Sequence, residues 1–145
     1  MAAKDAERQP VLSAEEATAY VNDVFDAVRG KFETLELGPM TARVRRKVDA
    51  GDIRPGGTVS GPSMFGAVDC AFYIALLGMI GKVPLTVTTN ATINFLNKPA
   101  PKDIIAEARI LKLGKLLATG DVTLYSEGEE RPIAHATLTY AIPPK

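Results

Sequence analysis

Residues 55–81 read PGGTVSGPSMFGAVDCAFYIALLGMIG, and a single charge, Asp69, interrupts these 27 small, apolar and turn-forming residues. A bilayer span needs about 20 predominantly apolar residues, so length alone admits a membrane helix. The order of residues argues otherwise. The first nine, PGGTVSGPS, are turn chemistry, and Asp69 would lie within the span at a cost of about 2.5–3.5 kcal/mol near its centre. The stretch therefore predicts a core helix that starts at Pro62, behind Ser60 and Gly61 as caps, runs to Ile80 and stops at Gly81. Because that helix is apolar on nearly every side, protein must surround it.

The flanking sequence supplies a sheet to do so. Downstream, four runs alternate: LTVTTNATINFL (85–96), DIIAEARILKL (103–113), KLLATGDVTLY (115–125) and RPIAHATLTYAI (131–142). Gly114-Lys115 marks a tight turn and Ser126–Arg131 a longer one. Upstream, Lys31–Leu37 and Thr41–Val48 read as two strands with Gly38-Pro39 as their turn. Ala42, Val44, Arg46 and Val48 alternate with Thr41, Arg43, Arg45 and Lys47, which predicts one covered face and one wet face. Asp49–Ser60 reads as a Gly- and Pro-rich loop.

At the N-terminus, Ser13-Ala14-Glu15-Glu16 is a capping box. Ala17, Tyr20, Val21, Val24, Phe25 and Val28 then form one helical stripe, which Gly30 terminates. Residues 1–12 read as a flexible tail and 13–145 as one domain. Antiparallel runs with helices segregated to one side make an α+β fold, a curved antiparallel sheet wrapped around the long central helix with an additional N-terminal helix. Its outer face carries thin apolar content (Leu111, Leu117 and Ile133), which suggests self-association.

Composition narrows the functional classes. Lys and Arg total 17 and Asp and Glu total 17, so the chain lacks the positive field of a dedicated nucleic-acid binder. Apolar residues make up 46% of 145, which with zero net charge excludes wholesale disorder. One cysteine, Cys70, cannot form an internal disulfide, and with one histidine it cannot build a structural zinc site. The first ten residues lack the apolar run of a secretory signal, so a cytoplasmic protein is expected, with no membrane partner.

Asp69 is the first candidate for chemistry. An unpaired buried carboxylate is costly, so it needs water, a partner or a raised pKa. It is either a general base or nucleophile at a pocket mouth, or half of an ion pair with Arg54 or Arg43. Gly61 is the second. A helix start offers unpaired N–H groups and a positive dipole end, and a glycine there admits an acyl oxygen, although Ser60-Gly61-Pro62 also starts any helix well. Eight positions separate the two, about 12 Å along a helix. One carbonyl cannot touch both in one chain, so if both act, the site combines two subunits.

Other residues carry less. His135 falls on the outer side of its strand and reads as structural, opposite Ala134, Ala136, Leu138 and Tyr140. Cys70 reads as packing, and Tyr73, one turn after Asp69, as an acyl-pocket lining or plain core. Lys112 and Lys115 flank one turn, Lys98 and Lys102 another, where they either meet phosphates or are simply solvated.

The segments GGTVSGPSMFGAVDCAFYIAL, VTTNATINFLNKP, IIAEARILKLGKLLATGDVTLYSEG and AHATLTY resemble the phenylacetate-degradation-type (PaaI-like) acyl-CoA thioesterases of the hotdog superfamily, from about Thr34 to the C-terminus. The resemblance implies a hotdog fold, a homodimer at minimum and commonly a homotetramer, and an acyl-CoA substrate with no further cofactor and no metal. It implies that Asp69 activates water or attacks the thioester, that the Gly61 N–H forms the oxyanion hole, and that Thr88, or Thr89 beside it, contributes from the following strand. It also shows departures. Ser60 stands where the family commonly has His, Arg54 where it has Asn, and Pro62 where it has a second glycine. Arg54 then either contacts a substrate carboxylate or phosphate or pairs with Asp69 and silences it. In the second case the chain is a non-catalytic acyl-CoA- or lipid-binding protein. A hotdog dehydratase would need a His with an acidic partner, and the lone histidine lies in the last strand.

Overall fold

The computed structural model describes residues 8–144. Two α-helices, α1 (Ala14–Val24) and α2 (Gly61–Ile80), join six strands: β1 (Phe32–Gly38), β2 (Thr41–Arg46), β3 (Val87–Phe95), β4 (Ile104–Leu113), β5 (Leu117–Ser126) and β6 (Pro132–Ala141). The strands form one antiparallel sheet in the order β1-β2-β4-β5-β6-β3. The sheet curves around α2, the hotdog arrangement expected from the resemblance.

Small residues on the sheet's inner face let α2 sit close. Ala106, Ala108, Ala118, Ala134 and Ala136 are all buried beneath it. The tightest point is Gly120 in β5, where a Cβ would lie 2.1 Å from the Arg109 carbonyl oxygen and 2.5 Å from the Phe72 ring. Only glycine allows β4, β5 and α2 to meet there. α2 has the length and hydropathy of a membrane span, yet most of its residues are buried within this fold, from Met64 to Met79. Ser60 caps its first turn and Gly81, at φ 90°, ends it as expected.

The outer face is wet and charged, in keeping with the alternation. Arg43 pairs with Glu107 at 3.6 Å, and Asp121 takes both Arg109 (2.9 Å) and His135 (3.1 Å). Arg45 joins Glu33 at 3.4 Å and also reaches Glu127. His135 is thus a structural, outward residue. Ile133, however, is buried in the core cluster, because β6 is irregular there: Leu124 faces Ala134 and Tyr125 faces Pro132, so Ile133 is passed over and falls out of the alternation. It adds nothing apolar to the outer face, whereas Leu111 and Leu117 stay exposed.

Three local boundaries differ from the sequence reading. The Ser13 capping box forms, with both of its hydrogen bonds at 3.0–3.1 Å. α1 nevertheless stops at Val24, since Phe25 leaves helical backbone (φ −123°, ψ 81°) and Asp26–Val28 forms a separate 3-10 turn. The β1–β2 turn places its positive φ (62°) on Met40, whose buried side chain holds it there, rather than on Gly38. In the segment expected to be a tail, residues 1–7 lie outside the described residues, while the Val11 and Leu12 amides bond to the Gly78 carbonyl (2.6 and 3.4 Å).

Candidate active site

α2 carries four of the predicted residues, Gly61, Pro62, Asp69 and Tyr73. Pro62, Phe65, Gly66 and Asp69 recur at helical spacing along a flank that the sheet leaves open. Asp69, half-buried, is the acid on that flank. The Thr88 hydroxyl donates to Asp69 Oδ1 at 2.6 Å, and the Tyr140 hydroxyl stands 2.7 Å from the same oxygen and 2.8 Å from the Asp69 carbonyl oxygen. Thr88 and Tyr140 are cross-strand partners in the β3–β6 ladder, so the sheet register itself brings them to one point. Oδ2 accepts no hydrogen bond among the described residues.

Asp69 opens onto a cavity of about 520 Å³, which also takes in Tyr73, Cys70, Val87 and Phe25. That volume lies within the usual range for small-molecule sites. Burial, and then the charge of Asp69, keep the Tyr140 phenol well above its ordinary pKa, so it stays a neutral donor. Burial pushes Cys70 up to about 12, with Asp69 adding to it, which makes Cys70 a packed thiol rather than a nucleophile. Tyr73 is likewise raised to about 12, chiefly by burial, and its hydroxyl donates to the Pro84 carbonyl at 3.3 Å.

Neither arginine considered for Asp69 reaches it. Arg43 pairs with Glu107 on the outer face, and Arg54 is exposed with no ion pair among the described residues. The contact that would have silenced the acid is therefore not made.

Gly61 lies at the start of α2, outside the residues that line the Asp69 cavity. Pro62 has no N–H, Ser63 N–H donates to the Ser60 side chain (3.3 Å) and Met64 N–H to the Ser60 carbonyl (3.1 Å). The Gly61 N–H alone of this first turn has no acceptor among the described residues. Ser60 thus caps the helix, and the Gly61 N–H is left without an acceptor among the described residues. The Gly61 backbone packs beside Phe95, where a Cβ would stand 3.6 Å from the ring. Asp69 packs beside Thr88, at the opposite end of the same strand.

Sequence reasoning missed what anchors this helix start. Asp52, on a 3-10 turn (Ala50–Asp52) within the supposed loop, takes two bonds from the Arg46 guanidinium (2.9 and 2.7 Å) and one from the Ser63 hydroxyl (2.8 Å). Burial alone would raise its pKa; Arg46, the Asp49 amide and Ser63 outweigh that and hold it at about 2. Arg46 at an inward strand position was the one available signal. Of the remaining candidates, Thr89 bonds to the Thr139 carbonyl (3.1 Å), Lys112 is exposed on β4, and Lys115 borders a separate groove of about 990 Å³ with Met79, Ile80 and Leu113. No cluster of three or more His, Cys, Asp or Glu side chains among the described residues could hold a metal ion.

Comparison with known proteins gives the family and the fold. Residues 56–133 match the family model of the thioesterase superfamily. An esterase-named protein of Saccharolobus solfataricus is 30% identical over 135 residues, covering 92% of this chain and 87% of that one. A thioesterase-named structure from a Silicibacter species superposes with a TM-score of 0.88 at 42% identity, covering 97% of each chain. The PaaI protein from the phenylacetic acid degradation operon of E. coli shares the fold (TM-score 0.76, 17% identity, 90% of this chain and 93% of that one).

Proposed function

This chain belongs to the thioesterase superfamily, and from that premise we propose that it hydrolyses acyl-CoA thioesters, with Asp69 as general base and the Gly61 N–H of a second subunit as oxyanion donor. The observation that carries this reading is the one-sided hydrogen bonding of Asp69. Thr88 and Tyr140 orient the carboxylate through Oδ1, and Oδ2 is left to act in the cavity.

Oδ2 takes a proton from water as the water oxygen attacks the thioester carbon; attack by Oδ2 itself, through a mixed anhydride, uses the same geometry. Negative charge gathers on the carbonyl oxygen and is met by a backbone N–H at a helix N-terminus. The carbon–sulfur bond then breaks, releasing a thiolate. A thiol of pKa about 8.5 leaves readily, so the site needs neither histidine nor metal to protonate it.

Two subunits are required because Gly61 and Asp69 stand about 12 Å apart along one helix. Strand β3 supplies the means. It is an edge strand exposed on both faces, with Val87 and Phe95 half open to solvent and Leu85 and Leu96 beside it. If two copies of β3 pair antiparallel about a two-fold axis at Thr92, the bulge that passes over Thr89 lets Thr88 of one face Phe95 of the other. Each Asp69 then meets the partner's Gly61, and the exposed flank of α2 is covered.

The test is release of free thiol from a panel of short, medium, long and aromatic acyl-CoAs, with sedimentation to establish a dimer. Turnover of at least one ester that Asp69→Asn abolishes is expected. Inertness across the panel, or full activity as a monomer, would refute the mechanism.

A further inference from the structure

The cavity beside Asp69 has two ends that come from different parts of the chain. Asp69, Thr88 and Tyr140 form the polar end; Val24, Phe25 and Val28, from the close of α1 and the 3-10 turn after it, form the apolar end. A row of rings connects them. Tyr140 stacks on Tyr73 (centroids 6.5 Å apart, planes 23° apart), and Tyr73 meets Phe25 edge-on at 6.4 Å and 86°. Tyr73 is fixed by burial and by its bond to Pro84, whereas Phe25 keeps 42% of its surface exposed and sits on backbone outside α1.

The core does not need that ring. α1 is anchored by Ala17 and Val21, both fully buried, while Val24 and Phe25 project beyond them toward the cavity. The wall also lies outside residues 56–133, the region matched to the thioesterase superfamily. Beyond Asp69 the lining holds no cationic side chain, so nothing there would balance a charge on the acyl group.

Building on the thioesterase reading, we propose that Phe25 is the specificity-determining residue that limits acyl length: an uncharged, apolar acyl group runs from Asp69 along Tyr73 and ends against the Phe25 ring. The substrates are thioesters of compact apolar acids. Long-chain esters are excluded by the wall, and dicarboxylic ones by the lack of a countercharge beside Asp69.

The experiment titrates S-alkyl-CoA thioethers, four to fourteen carbons long, into the wild-type protein and into Phe25→Ala and Phe25→Leu variants by calorimetry. Each buried methylene tightens binding about fourfold until the chain meets a wall. Wild-type affinity is expected to stop rising at a defined length. In Phe25→Ala it should keep rising, so that the longest analogues bind more than tenfold tighter than to wild type, with Phe25→Leu between the two and the four-carbon analogue within twofold in all three. A break at the same length in every protein, or a uniform loss of affinity across the series, would overturn the proposal. Hydrolysis of the matching thioesters is measured in parallel. A break that moves in a protein inert to every thioester refutes the catalytic reading and leaves the wall standing; hydrolysis with a fixed break does the reverse.

Discussion

Asp52 and Asp69 are the two acids nearest the functional half of α2, and their surroundings are opposites. Asp52 is buried and faces a buried guanidinium, with the Ser63 hydroxyl and the Asp49 amide as its further donors. Asp69 is half-buried and has no cation; its two donors are neutral hydroxyls that share one oxygen. A carboxylate enclosed by Arg46 is poorly placed to accept a proton in a reaction, but it can fix where a helix begins. A carboxylate gripped by one oxygen can be aimed without being neutralised. The difference separates the acid that holds the scaffold from the acid offered to a ligand.

The sharpest way to break this contrast is to remove each carboxylate in turn. Asp69→Asn should lower kcat/KM for thioester hydrolysis by about 10²–10⁴-fold while leaving the melting temperature within a degree or two. Equal loss from an Asp52 variant that folds normally would erase the distinction. Asp52→Ala strands the Arg46 charge in the interior and should cost about 3–5 kcal/mol in denaturant unfolding. The double variant Arg46→Met/Asp52→Leu should recover much of that loss.

Acid titration sharpens the same point. The folded pKa of Asp52 is held at about 2 against an ordinary value of 3.8. Its contribution is therefore complete above pH 4 and disappears as pH falls toward 2. The difference amounts to about 2 kcal/mol. Chemical denaturation at pH 5 and pH 2.5 should show that loss in the native protein and not in the double variant. The smallest effects concern the grip on Oδ1. Tyr140→Phe should reduce kcat/KM about tenfold and Thr88→Val somewhat less, each by the value of one hydrogen bond to a charged group. A change in KM alone would show that these hydroxyls bind substrate and do not orient Asp69.

Features that depend on neighbours in sequence were legible: the Ser13 capping box, the span of α2 and its glycine stop, the alternation in β2, the outward His135. Asp69 was conspicuous because a charge inside an apolar run needs a reason. What could not be read was set by partners far along the chain. Tyr140 lies 71 positions from Asp69 and reaches it only through the β3–β6 register. Asp52 looked like a loop residue because its guanidinium partner sits on β2, and periodicity carries no pairing information. Ile133 alternated with the outer face, yet the break in the β5–β6 register passes over it and turns it into the core. The short α1 followed from Phe25, whose ring finds Tyr73 in the cavity and so leaves the helical stripe it was counted in.

The missing side chain at Gly120 reaches further than its own strand. Phe72 lies over it and tilts against the Tyr140 ring, 5.3 Å away, and Tyr140 in turn touches the Asp69 carboxylate. A methyl group added at position 120 would press on the Arg109 carbonyl and part β4 from β5, and would drive Phe72 toward the phenol that holds the acid. The floor of the sheet thereby sets the height at which the phenol and the carboxylate stand, from a position hidden beneath the helix.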